Sequence, residues 1–172
     1  MFVLGIDPGL SRCGYGAVAR RDGRLLPVAG GILASDPAVP LPERLRGLLE
    51  ELRRLVAELR PDAVAVERVF FQTNARTAMA TGQASGLALV AAAAAGCEVV
   101  QYTANEVKVA VVGYGSATKE QVQKMVASVL GMPAPPRPPD VADALALAVC
   151  HLSSEPLRRA VAAVAAPGGG AS

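Results

Sequence analysis

The sequence predicts an α/β fold in which a mixed five-stranded sheet is flanked by helices. The chain opens with three strand-like segments, and short apolar runs then alternate with stretches of helical periodicity. The composition agrees, because 52% of the 172 residues are hydrophobic and tryptophan is absent. This mixture suits helices packed on a buried sheet, and the length suits one domain.

The first three predicted strands follow one another directly. Residues 2–6 form a short apolar run that ends at Asp7, which is typical of a buried strand entering a turn. Residues 14–20 and 25–33 are the next two strands, and the Asp-Gly pair at 22–23 between them is a hairpin signal. We therefore expect the sheet to begin with antiparallel strands.

Helices and strands alternate through the rest of the chain. Leucines at helical spacing predict a helix over residues 41–59, and the apolar strand at 63–66 ends on Glu67. The other predicted elements are helices at 75–95, 105–111, 119–130 and 140–152 and a strand at 98–102. Long helical connections favour parallel pairing of the later strands, with helices on both faces of the sheet.

We predict one folded domain over residues 1–155 and a partly disordered C-terminal tail over residues 156–172. The three cysteines form no CxxC pair, which indicates buried free thiols in a reducing compartment. The N-terminus does not resemble a signal peptide, and no stretch is apolar enough to predict a membrane span. These features together favour a cytoplasmic protein that does not contact a membrane.

Two acidic residues, Asp7 and Glu67, come directly after apolar strands. Ligands of open α/β sheets bind beyond the carboxyl ends of strands, so the two carboxylates lie side by side if their strands are neighbours. A divalent cation would remove their repulsion and gain hard oxygen ligands. A turn role explains Asp7 equally well on its own, whereas strands disfavour glutamate.

A second pair of acids, Asp140 and Asp143, stands at the beginning of the last predicted helix. The i, i+3 spacing puts both on one side of that helix. Taken singly, Asp140 could be an N-cap and Asp143 could serve only the helix dipole. Four carboxylates from two strand ends and one helix could instead hold two metal ions, which activate water and stabilise the leaving oxygen of a phosphodiester.

Several segments of the sequence resemble one known family. They are Gly5-Ile6-Asp7-Pro8-Gly9, Val66-Glu67-Arg68-Val69-Phe70, the run from Asn74 to Gly86, Val107-Lys108, the run from Val112 to Lys119, and the helix that begins Asp140-Val141-Ala142-Asp143. In this order they are similar to the acidic and basic motifs of the RuvC family, the bacterial crossover junction endodeoxyribonucleases.

The resemblance implies a ribonuclease H-like fold and a structure-selective endonuclease. Its substrate would be four-way (Holliday) junction DNA, cut by paired symmetric nicks in recombination and repair. Asp7, Glu67, Asp140 and Asp143 would be its metal-binding catalytic acids. The metal would be Mg²⁺, with two ions per site and Mn²⁺ as a substitute. A homodimer and the branch-migration proteins RuvA and RuvB are the further partners that the resemblance implies.

Four other residues are expected at the DNA. Lys108 and Lys119 match family lysines at the scissile phosphate, although a lysine is more often a solvated surface residue. Phe70 matches a position where an aromatic ring stacks on an unpaired base, with an apolar cover as the alternative. Arg76 is one of several basic residues near these motifs.

The net charge of +2 is too small to indicate a nucleic-acid binder on its own. If four of the 15 acids bind metal, however, 11 remain against 17 lysines and arginines, and the rest of the protein carries +6. This positive charge favours sequence-independent binding of a polyanion. The small residues Gly82 and Gly86 permit close approach on their helix, and the resemblance makes that helix the dimer interface, with packing on the sheet as the alternative.

Three other functions are compatible with parts of this pattern. A ribonuclease H acting on RNA–DNA hybrids would share the fold and would be distinguished by a 2′-OH preference. An actin-like ATPase or sugar kinase begins with a similar phosphate loop but needs a second half-domain, for which the sequence leaves no room. A non-catalytic junction-binding protein remains possible by composition, although all four acids are present.

Overall fold

The computed structural model describes residues 1–69 and 75–165. Its elements in chain order are β1 (Phe2–Asp7), β2 (Arg12–Arg21), β3 (Arg24–Ala34), α1 (Leu41–Leu59), β4 (Ala63–Glu67), α2 (Ala75–Ala94), β5 (Glu98–Tyr102), α3 (Ala104–Val112), α4 (Lys119–Val129) and α5 (Pro139–Ala165).

The five strands form one sheet in the order β3-β2-β1-β4-β5. The hairpin strands pair antiparallel with each other and with β1, whereas β1, β4 and β5 run parallel. The predicted mixed five-stranded sheet with flanking helices is therefore confirmed. The element bounds agree with the predicted ones to within two residues, except at the end of α5.

The sheet separates two apolar cores. On one face, α3, α4 and α5 cover a core that includes Val3, Val126 and Leu145. On the other face, α1 and α2 cover a core that includes Leu4 and Leu52. Successive residues of β1 thus point to opposite cores, as the two-residue period of a strand requires.

Helix α5 lies directly on β1 and β2 because glycines face it. A Cβ atom at Gly5 would collide with the backbone carbonyl of Ala144, and one at Gly14 would collide with the backbone carbonyl of Asp140. A Cβ atom at Gly16 would collide with the side chain and the backbone nitrogen of Leu145. These glycines allow helix backbone to approach strand backbone more closely than any larger residue would permit.

The predicted end of the last helix at residue 152 is wrong, because α5 continues through Pro156 to Ala165. A proline has no N–H to donate to the carbonyl four residues earlier, which here is that of Leu152. The Arg20 guanidinium of β2 donates to that carbonyl instead. The predicted domain boundary after residue 155 falls within α5 and stays a prediction, and residues 166–172 lie outside the described part.

A polar cluster holds the second half of α5 against β5. Arg158 donates to the Tyr102 hydroxyl over 3.3 Å and also pairs with Glu98. The fully buried His151 lies 3.1 Å from that hydroxyl through Nδ1. The structure therefore places this histidine in the packing between helix and sheet.

Helix α2 has an unusual apolar surface. Among the described residues it is the one helix that is long and apolar enough to cross a membrane by length and composition, and 28% of its most apolar window is buried within the chain. Met79 and Val90 are 67% and 54% exposed. The function of the protein therefore has to explain why apolar residues of α2 are exposed.

Candidate active site

Asp7 and Glu67 end the neighbouring parallel strands β1 and β4. In this pair Ile6 lies opposite Val66, so the two acids that follow are adjacent at the same edge of the sheet. The direction of their side chains follows from the alternation of side chains along a strand. Val3 of β1 and Ala65 of β4 face the core under α5. Asp7 and Glu67 lie an even number of residues further on and therefore point to the same face.

Helix α5 brings a second pair of acids to this edge. Its first turns pass over β2 and β1, where Gly14 contacts the backbone of Asp140. Asp143, one turn further along the helix, reaches the carboxyl ends of β1 and β4. Helix α5, which the glycines allow to lie close to the sheet, therefore carries Asp140 and Asp143 toward Asp7.

These elements surround a pocket of about 400 Å³. Three carboxylates and two ammonium groups line it, from Asp7, Glu67, Asp143, Lys108 and Lys119. The apolar part of the wall comes from α3, α4 and α5 and consists of Ala104, Val107, Val122, Ala146 and Leu147. Acidic and basic groups therefore face one another across a cleft that is open to solvent.

Burial and mutual repulsion perturb the two strand-end acids. Burial, followed by the charges of Glu67 and Asp143, raises the pKa of Asp7 from 3.8 to about 7. Burial and the charge of Asp143 also raise the pKa of Glu67, and a hydrogen bond from Asp7 opposes that rise. Both strand-end acids therefore have pKa values above those of ordinary carboxyl groups, as expected of partly buried carboxylates that lie together.

Asp143 is held by two side chains of α4. Lys119 Nζ lies 2.6 Å from its Oδ2, and Gln123 Nε2 donates to its Oδ1 over 3.3 Å. The hydrogen bond to Asp143 raises the pKa of Lys119, so that lysine stays charged. Thr118 begins α4 with a reciprocal capping box to Gln121, which fixes where Lys119 enters the cleft.

Among the described residues, Asp140 pairs with a basic residue of β2 and not with the residues that line the pocket. It does not line the pocket, and its Oδ2 accepts a hydrogen bond of 3.0 Å from Arg12 at the start of β2. The two side chains are 28% and 53% exposed, so this ion pair lies at the protein surface. Asp140 therefore borders the site from the side of β2.

The donor set suits a hard divalent cation, because carboxylate oxygens are the ligands that such ions prefer. In residues 1–69 and 75–165, however, no three acidic, histidine or cysteine side chains converge on one point as they stand. Lys119 and Arg12 hold Asp143 and Asp140 instead. Burial and then the charges of Glu67 and Asp143 raise the pKa of Asp7, so the three carboxylates that line the pocket fit a divalent cation, which would offset their repulsion.

The remaining predicted site residues have different positions. Lys108 lies in the middle of α3 and faces the pocket. Arg76 is exposed in the first turn of α2. Phe70 falls outside the described residues.

Sequence reasoning missed two residues that touch the acids, Arg12 and Gln123. Gln123 could have been found, because it lies one turn after Lys119 on the same face of α4. Arg12 could be placed only with the pairing of β2 on β1, in which Gly14 lies opposite Asp7.

Comparison with known proteins gives a consistent result. A family model described as crossover junction endodeoxyribonuclease RuvC matches residues 3–151. The crossover junction endodeoxyribonuclease RuvC of Salinispora arenicola is 53% identical over 166 residues, covering 96% of this chain and 95% of that protein. The RuvC of Trichlorobacter lovleyi is 50% identical over 158 residues, covering 92% and 88%.

Solved structures agree with these relatives. The structure of Thermus thermophilus RuvC matches with a TM-score of 0.84 at 37% identity, covering 92% of this chain and 97% of that one. T. thermophilus RuvC in complex with Holliday junction substrate matches with a TM-score of 0.87 at 38% identity, covering 92% and 96%. The sheet and its helices have the ribonuclease H-like arrangement of these structures, and the chain belongs to the RuvC family of crossover junction endodeoxyribonucleases.

Proposed function

We propose that this protein is a metal-dependent endonuclease that resolves four-way DNA junctions by paired, symmetric nicks during recombination and repair. The observation that carries the proposal is the cleft in which Asp7, Glu67 and Asp143 face Lys108 and Lys119. It lies on a fold that matches a RuvC in complex with Holliday junction substrate over 92% of the chain. No serine, cysteine or histidine lines the cleft among the described residues, which suits attack by water.

The metal would be held by the four acids. We assign Asp7, Glu67 and Asp143 as ligands from the pocket, and Asp140 as a ligand after its carboxylate leaves Arg12. The ions would be Mg²⁺, two per site, with Mn²⁺ as a substitute. When bound, they supply an activated water and charge stabilisation at the leaving oxygen. The protein supplies fixed carboxylates on two strand ends and a helix, which hold that chemistry in one orientation.

The basic groups position the DNA backbone. Lys119 pairs with Asp143, and if that carboxylate held a metal ion the ammonium of Lys119 would be available to a phosphate in the cleft. Lys108 approaches the same cleft from α3. Both would offset the negative charge that develops on the phosphate in the transition state. Arg76 would contribute a backbone contact, and Phe70 would stack on a base at the junction.

A symmetric cut needs two sites, and α2 offers the surface for a homodimer. Met79, Gly82, Gly86 and Val90 lie at helical spacing on this helix, and a Cβ atom at either glycine would meet no described atom within 4 Å. Exposed apolar residues beside glycines permit two helices to pack closely. A second copy would cover this face and place a second site on the opposite strand of the junction.

The remaining partners and the location are proposed from the resemblance to the family. We propose RuvA and RuvB as the proteins that present the junction, and the cytoplasm as the compartment. A soluble protein that acts on DNA agrees with the family, so we interpret the apolar face of α2 as a protein contact.

The first prediction concerns the charge at Asp7 in the metal-free protein. Because folding raises the pKa of Asp7 from 3.8 to about 7, the folded state takes up a proton between these values. The stability contributed by this group is present below about pH 4 and is lost as the pH rises through about 7. Asp7→Asn cannot ionise, so its melting temperature relative to wild type should rise across this window and level off above it.

The measurement is thermal unfolding of both proteins in EDTA at a series of pH values. A gain of several degrees is expected, since 1 kcal/mol corresponds to ~2–4 °C in a chain of this size. Asp36→Asn, an exposed loop substitution, is the control and should show no such trend. A difference between Asp7→Asn and wild type that stays constant from acid to neutral pH would contradict the account.

The second prediction concerns catalysis. Wild type should nick a synthetic mobile four-way junction on two opposing strands in Mg²⁺ or Mn²⁺ and not in EDTA. Asp7→Asn should bind the junction as wild type does and cut at least about 100-fold more slowly, the scale expected for loss of one electrostatic group at a reacting centre. Asp36→Asn should cut normally.

Gel analysis of end-labelled junctions measures both rates. Binding without nicks by wild type in either metal would favour a junction-binding protein without catalysis. Preferential cutting of an RNA–DNA hybrid would favour a ribonuclease H instead.

The third prediction concerns the dimer. A charge placed in the apolar stripe of α2 would have to be desolvated in the interface, so Val90→Glu should convert a dimer into a monomer in sedimentation velocity. Val129→Glu on α4, at a residue that is 40% exposed, is the matched control and should remain dimeric. A dimer that survives Val90→Glu at micromolar concentration would place the interface elsewhere.

A further inference from the structure

Arg12 occupies a position that the assigned site does not use. It is the first residue of β2 and lies at the same end of the sheet as Asp7. Because Arg12, Gly14 and Gly16 are two residues apart, Arg12 points to the face on which α5 rests. There its Nη2 donates to Asp140 over 3.0 Å.

The guanidinium of Arg12 has spare binding capacity. It carries five N–H donors, and Asp140 is the one side chain in the described part of the chain with which it forms a hydrogen bond. The Arg12 side chain is 53% exposed and the Asp140 side chain is 28% exposed. The free edge of the guanidinium therefore faces solvent beside the cleft, in the planar form that suits a phosphate.

The pairing with Asp140 decides whether this cation is available to DNA. While Asp140 is bound to Arg12, the pair is neutral and offers a polyanion little attraction. A carboxylate that binds a divalent ion no longer neutralises the arginine. The charge of Arg12 then becomes available at the edge of the cleft, on the side of β2 opposite to Lys108 and β5.

We propose that Arg12 is a DNA-backbone contact whose charge is masked by its ion pair with Asp140. Transfer of Asp140 from Arg12 to the divalent ion frees the guanidinium to bind a phosphate flanking the scissile one. Metal binding and DNA binding thereby strengthen each other through this exchange, because coupling between two ligands is reciprocal. The inference rests on the proposed function, since it needs both junction DNA and a metal at the acids.

Binding of a labelled four-way junction, rather than cutting, tests the exchange. The comparison is wild type against Arg12→Gln in EDTA and in Ca²⁺, a hard oxygen-binding cation used here as the probe. The slope of log affinity against log salt is measured in each. In Ca²⁺ the slope measured for Arg12→Gln should be smaller in magnitude than that of wild type by about 0.9, the value for one phosphate contact. In EDTA the two slopes should agree.

The matched control is Arg21→Gln at the other end of β2, an exposed residue ~30 Å away by strand length. It should behave as wild type in both conditions, and Arg12→Lys should retain the Ca²⁺-dependent slope because it retains the charge. Far-UV circular dichroism and thermal unfolding of each variant show that the folded protein is compared.

Equal slopes for wild type and Arg12→Gln in Ca²⁺ would overturn the proposal, as would an equal loss in Ca²⁺ and EDTA. An equal loss in Ca²⁺ and EDTA would mean that Arg12 contacts DNA whether or not a divalent ion is bound. Failure of wild type itself to bind the junction in either condition would instead refute the proposed function. The two failures are thus distinguishable.

Discussion

The close contact of α5 with β1 and β2 is the constraint on which the site depends. Side chains of both layers normally fill the space between a helix and the sheet on which it packs. Here Gly5, Gly14 and Gly16 remove the sheet's side chains along the path of the helix. The beginning of α5 thereby comes level with the strand ends, and its acids reach Asp7. A larger residue on this path would move the helix and separate the carboxylates.

Charge balance decides how the acids are arranged once they are assembled. Buried carboxylates that lie together must take up protons, acquire a cation or pair with basic side chains. Two of these occur here: the raised pKa of Asp7 favours its protonated form, and basic side chains pair with the other acids, Lys119 with Asp143 and Arg12 with Asp140. In the proposed complex these basic partners would also face DNA, so the proposal links the ion pairs of the metal-free protein to substrate binding.

Much of the fold could be predicted from the sequence, because its signals are local. The apolar runs before Asp7 and Glu67 and the leucine periodicity of α1 each specify one element without knowledge of the rest. The end of α5 could not be predicted, since it depends on Arg20 reaching the carbonyl left without a donor by Pro156. The role of Arg12 is equally non-local, because Asp140 is 128 residues away in the chain.

The central claim is that the glycine contact of α5 brings the acids into one metal site. Its most direct test is the Mn²⁺ affinity of Gly14→Ala, measured by electron paramagnetic resonance of free Mn²⁺ and compared with Gly47→Ala. A Cβ atom at Gly47 on α1 meets nothing within 4 Å, so that variant should bind as wild type does. Gly14→Ala, while retaining its circular dichroism spectrum, should bind at least about tenfold more weakly, the scale expected when the support of metal ligands is disturbed. Unchanged Mn²⁺ affinity in folded Gly14→Ala would contradict the account.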